Sequence, residues 1–444
     1  MPKWTRVGAT GMVGGVCAGT LGLLALSGCF GGSSSTGDHP DADLSLDSGA
    51  FEASFPGDSA SGADSNVTPE AGSETGAGDA SDGGAGCGGD GGPGTFTCVG
   101  NLGTARVAAG VAALPGGKAL IAGGWNATSQ TLTSAEVFDS ASGTFSSTGN
   151  MVSPHLWGEW STPWPVLADG KVLAAGGLAG TGALVGTAEL YDPTAGTWAA
   201  TGPLQMPVIS MFPQTLSDGS VLFIGGWNST TGAPPTPGWS FVGSGTNEVQ
   251  RYTPSTGLFT VVGPLAEDRL VGCNVTLPDG DVLAIAGGSA SSTTETNIEQ
   301  FVPAANQWTT LGTLSSVPSC TQAFLLTTGK VLLLGTGSTE SADVFDPTTL
   351  TTTPTTGFTS AWVPQYAQLA NGNVLAYGGQ IGTTYTANAM VYSASTNAWT
   401  AVGSMGQVRG GATSAVVLTT GEVLIIGGTD GVTGELATAE VYHP

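Results

Sequence analysis

One stretch recurs seven times along this chain, and it constrains the fold more than any other feature. In its cleanest form it reads Leu167-Ala168-Asp169-Gly170-Lys171-Val172-Leu173-Ala174-Ala175-Gly176-Gly177, then Ala188-Glu189-Leu190-Tyr191-Asp192-Pro193-Thr194-Ala195-Gly196-Thr197-Trp198. A glycine pair or a near relative marks each copy, at Gly123/Gly124, Gly176/Gly177, Gly225/Gly226, Gly287/Gly288, Gly335/Gly337, Gly378/Gly379 and Gly427/Gly428. The copies lie roughly 43 to 62 residues apart, the period of a four-stranded unit that must stack on its neighbours to bury both faces.

Each copy reads as four strands. The first is an apolar run such as 107–114, followed by a turn glycine: Gly117, Gly170, Gly219, Gly280, Gly329, Gly372 or Gly421. Asp169-Gly170, Asp218-Gly219, Asp279-Gly280 and Asn371-Gly372 suit tight hairpins whose central residues need positive φ. The second strand is continuously hydrophobic, as in Val331–Leu334 and Val423–Ile426, which predicts burial on both faces. The third carries an acid and an aromatic: Glu136/Phe138, Glu189/Tyr191, Glu248/Tyr252, Asp343/Phe345 and Glu440/Tyr442. Gly143, Gly196, Gly257, Asn306 and Asn397 then share one slot, and glycine exchanging with asparagine marks a left-handed backbone position. The fourth strand opens with Phe145, Trp198, Phe259, Trp308 or Trp399. The expected fold is all-β, a seven-bladed propeller over residues 95–444.

The glycine pair, the following aromatic and the tryptophan about six residues later resemble the kelch repeat. The fifth copy departs from that pattern: Thr336 interrupts the glycines, Leu350 takes the left-handed slot and Thr352 stands near the tryptophan slot. A thinner blade is expected there. The chain ends in a third strand, at Val441-Tyr442-His443-Pro444. However, Gly94-Thr95-Phe96-Thr97-Cys98-Val99-Gly100-Asn101-Leu102 matches Gly143-Thr144-Phe145-Ser146-Ser147-Thr148-Gly149-Asn150-Met151. The N-terminal strand is therefore expected to close the last blade and remove an open sheet edge.

Ahead of the repeats, Lys3 and Arg6 precede an apolar stretch that ends in Leu26-Ser27-Gly28-Cys29. This resembles a bacterial lipobox, which implies a signal peptide over 1–28 and lipidation of Cys29. Residues 29–94 are rich in Gly, Ser, Ala and acids and too poor in apolar groups to offset ordering entropy, so a disordered linker is expected. The predicted location is the bacterial cell envelope, by lipid anchor at the outer membrane or cell surface. The net charge of −24 opposes nucleic acid as a partner, and a monomer is expected. Oxidation outside the cytoplasm favours disulfides Cys87–Cys98 and Cys273–Cys320, with buried free thiols as the alternative.

The kelch resemblance also brings in the galactose oxidase group, whose copper site uses two histidines. This chain has His39, His155 and His443 alone. His39 is in the linker, and His443 follows the third-strand aromatic at the chain end. No copper, other metal or cofactor is expected, and no catalytic residue is assigned. Binding is instead expected at the mouth of the central channel. The candidate residues are Trp125, Asn126, Trp227, Asn228, Trp239, Trp157, Glu159, Trp160, Trp362, Arg106, Arg269 and Arg409, because tryptophan and arginine anchor binding surfaces; the alternative is structural, with the arginines pairing with carbonyls or acids between blades, as the kelch resemblance implies, and Trp157 and Trp160 packing between sheets. The expected role is a non-catalytic protein-binding or scaffolding module. A carbohydrate-binding module is the alternative, since tryptophan with asparagine and glutamate can stack on and hydrogen-bond a sugar. A carbohydrate-active enzyme ranks below both.

Overall fold

The computed structural model describes residues 89–444 apart from 157–162, 210–212, 229–244, 270, 289–294, 315–319, 321, 336–341 and 359–361. The expected leader, Cys29 and most of the linker lie outside the described residues. Among the described residues there is no helix, and the strands form seven antiparallel blades and one small hairpin. In the first blade, strands Gly110–Leu114, Lys118–Ala122, Ala135–Asp139 and Thr144–Ser147 pair in chain order. The second strand of every blade is almost wholly buried. First strands of neighbouring blades touch: Ser414–Val417 meets both Gly110–Leu114 and Trp362–Gln368, and Val271–Thr276 meets both Gln214–Thr215 and Gln322–Leu325. The first strands therefore form the inner ring.

The last blade is closed by the N-terminal strand. Thr95–Cys98 pairs with Ala439–His443 in the register Thr95 to His443, Phe96 to Tyr442, Thr97 to Val441 and Cys98 to Glu440. This is the register of the other blades, where an aromatic opening the fourth strand faces the third-strand aromatic. Ring centroids lie 4.9 Å apart for Phe96 and Tyr442, 5.0 Å for Phe138 and Phe145, and 5.1 Å for Tyr191 and Trp198. Such offset aromatic pairs add to the stabilisation from burial alone. The closing segment also repeats the outer blade-to-blade contacts. Gly149 donates its N–H to Gly196 and Gly202 donates to Gly257; likewise Gly403 donates to Gly94, and Gly100 to Gly143.

Three local assignments differ from the sequence reading. In blade 4 the glycine-pair slot is Ala286-Gly287, with Ala286 at φ +51°, so Gly288 lies one residue beyond it. A break in register between Ile285 and Gly287 accompanies this shift. In blade 3 the acid slot is filled by Gln250, two residues before Tyr252 in the strand Val249–Thr253; Glu248 precedes that strand. In blade 2 the first strand shrinks to a bridge between Val166 and Val172, because Pro163 and Pro165 have no N–H for a ladder.

The fifth blade keeps four strands, yet Thr352 stands opposite Phe345, and Leu350 holds the left-handed slot at φ +56°. A disulfide joins Cys273, in the first strand of blade 4, to Cys320, just ahead of the first strand of blade 5. Cys98 is also disulfide-bonded; its expected partner, Cys87, lies outside the described residues.

Candidate functional site

The expected binding arginines are not surface donors. Arg106, Arg269 and Arg409 are buried. Each lies just ahead of a first strand and is consumed within its own blade. Arg106 donates to the Gly123 and Ser134 carbonyls at 2.8 and 3.0 Å and to Glu136 at 2.8 Å. Arg409 repeats the pattern with Gly427 at 2.9 Å, Thr438 at 3.1 Å and Glu440 at 2.8 Å. Arg269 uses the carbonyls of Ala286 and Asn297 and the Glu299 carboxylate. The carboxylates in turn accept backbone N–H groups from the incoming linker, as Glu136 does from Gly103 and Glu440 from Gly406.

The same residues tie adjacent blades through their backbones. Gly226 donates to the Arg269 carbonyl, Gly379 to that of Arg409 and Gly428 to that of Arg106. The glycine pair permits this approach, since a Cβ at Gly225 or Gly378 would lie 2.8 or 2.5 Å from the carbonyl oxygen of the next blade. The glycine pair is therefore a joint between blades.

His155 occupies the arginine slot of blade 2. Its Nδ1 lies 2.7 Å from the Gly176 carbonyl, where only donation is possible, and its Nε2 lies 3.3 Å from Glu189. Burial would raise the Glu189 carboxyl, but the His155 ring and the Val152 and Ser153 amides outweigh it and hold the group below its ordinary range. In blade 3 the slot holds Val208, and the partner is the neutral Gln250, whose Nε2 donates to the Met206 carbonyl at 2.8 Å. Loss of the cation thus coincides with loss of the anion, which avoids a lone buried charge.

Trp125 is also structural. It is 2 % exposed and pairs back onto Val107, inside a cluster with Ala108, Leu156, Leu178 and Ile209. Asn126 builds the following turn, with Nδ2 donating to Ala105 and Oδ1 accepting from Ser129. Trp227 and Asn228 remain half-buried at the same end of blade 3. Trp157, Glu159, Trp160 and Trp239 lie outside the described residues. For Trp362 only the backbone is described, in Trp362–Gln368.

Among the described residues, two regions of the propeller are open to recognition. The first is the end carrying the glycine pairs and linkers. There Val152, Ile381, Val408 and Val432 are exposed, Val432 by 89 %. Near Trp227, burial raises the Glu248 carboxyl, and its Oε1 has no hydrogen-bond partner among the described residues. The second is a cavity of about 350 Å³ on the axis, lined by first-strand segments of all seven blades. Its carboxamides Gln214, Asn274, Gln322 and Gln368 were not singled out in the sequence. They sit at different offsets from the turn glycine, so no repeat-level signal marks them. Among the described residues, no cluster of three or more His, Cys, Asp or Glu side chains could hold a metal.

The Kelch motif matches residues 369–406, which span most of blade 6 from the end of its first strand to just past its fourth. A comparison with curated proteins gives no match. The Kelch motif in blade 6, with the seven blades and the shared glycine-pair joint, supports a kelch-repeat β-propeller.

Proposed function

We propose that this propeller is a non-catalytic recognition module held at a bacterial envelope, and that it binds a protein through the end carrying the glycine pairs. A kelch propeller suggests a protein-binding or scaffolding role. The observation that carries the choice of face is the placement of exposed apolar side chains. Of the eight large apolar side chains exposed among the described residues, Val152 and Val408 in linkers, Val432 in a second-to-third strand loop and Ile381 at the end of the second strand Val374–Ile381 lie at this end, whereas Leu258, Val261 and Leu311 are spread over fourth strands and Val166 lies in the first-strand segment of blade 2. Exposed apolar groups in loops on a rigid frame suit a docking surface. The buried arginines are consumed by the frame and leave these loops free to vary.

The tether rests on Leu26-Ser27-Gly28-Cys29 after a short basic and apolar leader. An acylated Cys29, with an acidic linker behind it, would hold the propeller away from anionic headgroups. Affinity capture from detergent-solubilised envelope, with the chain as bait, tests the first part. A protein retained by the wild type and lost with Ile381→Asp/Val432→Asp supports the reading. Identical capture by both baits rejects this face. Membrane fractionation tests the second part: Cys29→Ser should move the protein to the soluble fraction.

A further inference from the structure

The two ends of the propeller differ in charge. The sequence holds nine lysines and arginines, of which Lys3 and Arg6 precede the repeats. The segments between second and third strands and between blades hold only Arg106, Arg269 and Arg409, all buried and consumed by the frame. The remaining four lie at the opposite end, near the turn glycines, and each is paired there. Lys118 meets Asp139 at 3.3 Å, Lys171 meets Asp169 at 2.7 Å, Lys330 meets Asp346 at 3.2 Å, and Arg251 meets Asp218. At the glycine-pair end, Glu267, Asp268, Asp430 and Glu435 are exposed or half-buried, with no exposed lysine or arginine beside them.

Three of the exposed apolar side chains at this end converge on blades 6 and 7. A hairpin extends the second strand of blade 6, pairing Ile381 with Thr384 and Gln380 with Tyr385. The Tyr385 ring packs onto blade 7. It leaves no room for a side chain at Gly410, and a Cβ on Gly431 would lie 2.8 Å from its Cδ2. Val408 stands two residues before Gly410, and Val432 directly follows Gly431. Tyr385 thus joins Ile381, Val408 and Val432 into one apolar ridge. Asp430 and Glu435 belong to the same loop as Val432, closed by the bridge between Thr429 and Glu435. Burial would raise the Asp430 carboxyl, but the Thr433 hydroxyl and the Val432 and Thr433 amides outweigh it and hold the group below its ordinary range.

We propose that the partner of this end is a protein segment carrying lysine or arginine beside apolar side chains. Its apolar groups seat on the ridge of Ile381, Val408 and Val432, and its cations face Asp430 and Glu435. A face with carboxylates and no exposed cation draws in a cationic partner and turns away an anionic one. This inference rests on the reading that the glycine-pair end docks a protein, and it supplies the chemistry of that protein.

Fluorescence anisotropy on the full chain tests the proposal with three labelled peptides of equal length, in which leucine alternates with lysine, serine or glutamate. The lysine peptide should bind at least roughly tenfold more tightly than the other two, and the preference should shrink as salt is raised. Asp430→Asn/Glu435→Gln neutralises both carboxylates at nearly constant size and should weaken that peptide roughly tenfold. Ile381→Ser/Val432→Ser should weaken it as well, through the ridge. Asp192→Asn/Asp279→Asn removes two charges at the opposite end and should leave binding within roughly twofold. Equal weakening by the two charge pairs would mean attraction by net charge alone and would overturn the proposal. Equal binding of the three peptides by the wild type would do the same, and that comparison needs no variant to fold. Affinity capture from the envelope separates this inference from the reading beneath it. A protein retained through Ile381 and Val432, with no preference for the lysine peptide, keeps the docking face and removes its cationic partner.

Discussion

Replacing Gly378 by alanine should weaken the ring at one joint. Gly378 sits at φ +58°, and a Cβ there would lie 2.5 Å from the carbonyl oxygen of Arg409 in the next blade. That oxygen is backbone, so it cannot swing aside. It also accepts the Gly379 N–H at 2.9 Å, and its residue holds Gly427, Thr438 and Glu440. The left-handed backbone alone costs alanine about 1–2 kcal/mol. Loss of one buried hydrogen bond adds about 1–3 kcal/mol, for a total of about 2–5 kcal/mol. Gly143→Ala is the matched control. It shares a left-handed φ of +66°, but its nearest neighbour would be the Val99 Cγ1 at 3.9 Å. The control should therefore lose only the backbone cost of about 1–2 kcal/mol. Urea unfolding of both variants under one linear extrapolation measures the difference. Equal destabilisation would refute the claim that the glycine pair acts as a joint through close approach.

The other predictions test separate parts of the frame. Arg409→Met should cost about 3–5 kcal/mol by leaving Glu440 charged and buried. Arg409→Val/Glu440→Gln should recover part of it, as Val208 with Gln250 does in blade 3; a double mutant no more stable than Arg409→Met would contradict the slot pairing. Glu189 has a lowered folded pKa, so its stabilisation is present above about pH 4.3, the ordinary glutamate value, and fades as pH falls through the folded value. Glu189→Gln should accordingly flatten the acid limb of stability measured by urea unfolding from pH 6 to pH 3. Cys273→Ala/Cys320→Ala opens a loop spanned by 47 residues of separation and should cost up to about 4 kcal/mol on the chain-entropy account. A calorimetric scan beside the wild type checks that value.

Much of the frame is legible in the sequence because it is repeated. The match of 94–102 to 143–151 located the closing strand, and the glycine–asparagine exchange located the left-handed turns. Slot arithmetic failed where a substitution preserved geometry but changed identity. Ala286 adopts the glycine conformation in blade 4, which moved the apparent pair by one residue. Gln250 replaces the acid in blade 3, which drew attention to the nearby Glu248. The binding candidates were harder to read. Trp125 follows a glycine pair and looks like a loop residue, but its backbone folds back onto Val107 and buries the indole. Arg106, Arg269 and Arg409 fit both a recognition surface and a structural slot in the sequence, and their carboxylate partners settle it for the structural slot. Strand alternation does not reveal which first-strand residues reach the axis, because each blade twists and its neighbours set the opening.

The central claim is that the N-terminal strand closes the ring. Hydrogen exchange read by mass spectrometry over residues 94–99 tests it directly, because exchange reports local opening. The account predicts protection of these amides comparable to that of the paired strand Ala439–His443, with both segments opening together. Rapid exchange over 94–99 while 439–443 stays protected would mean that the last blade holds without its N-terminal strand, and would contradict the account.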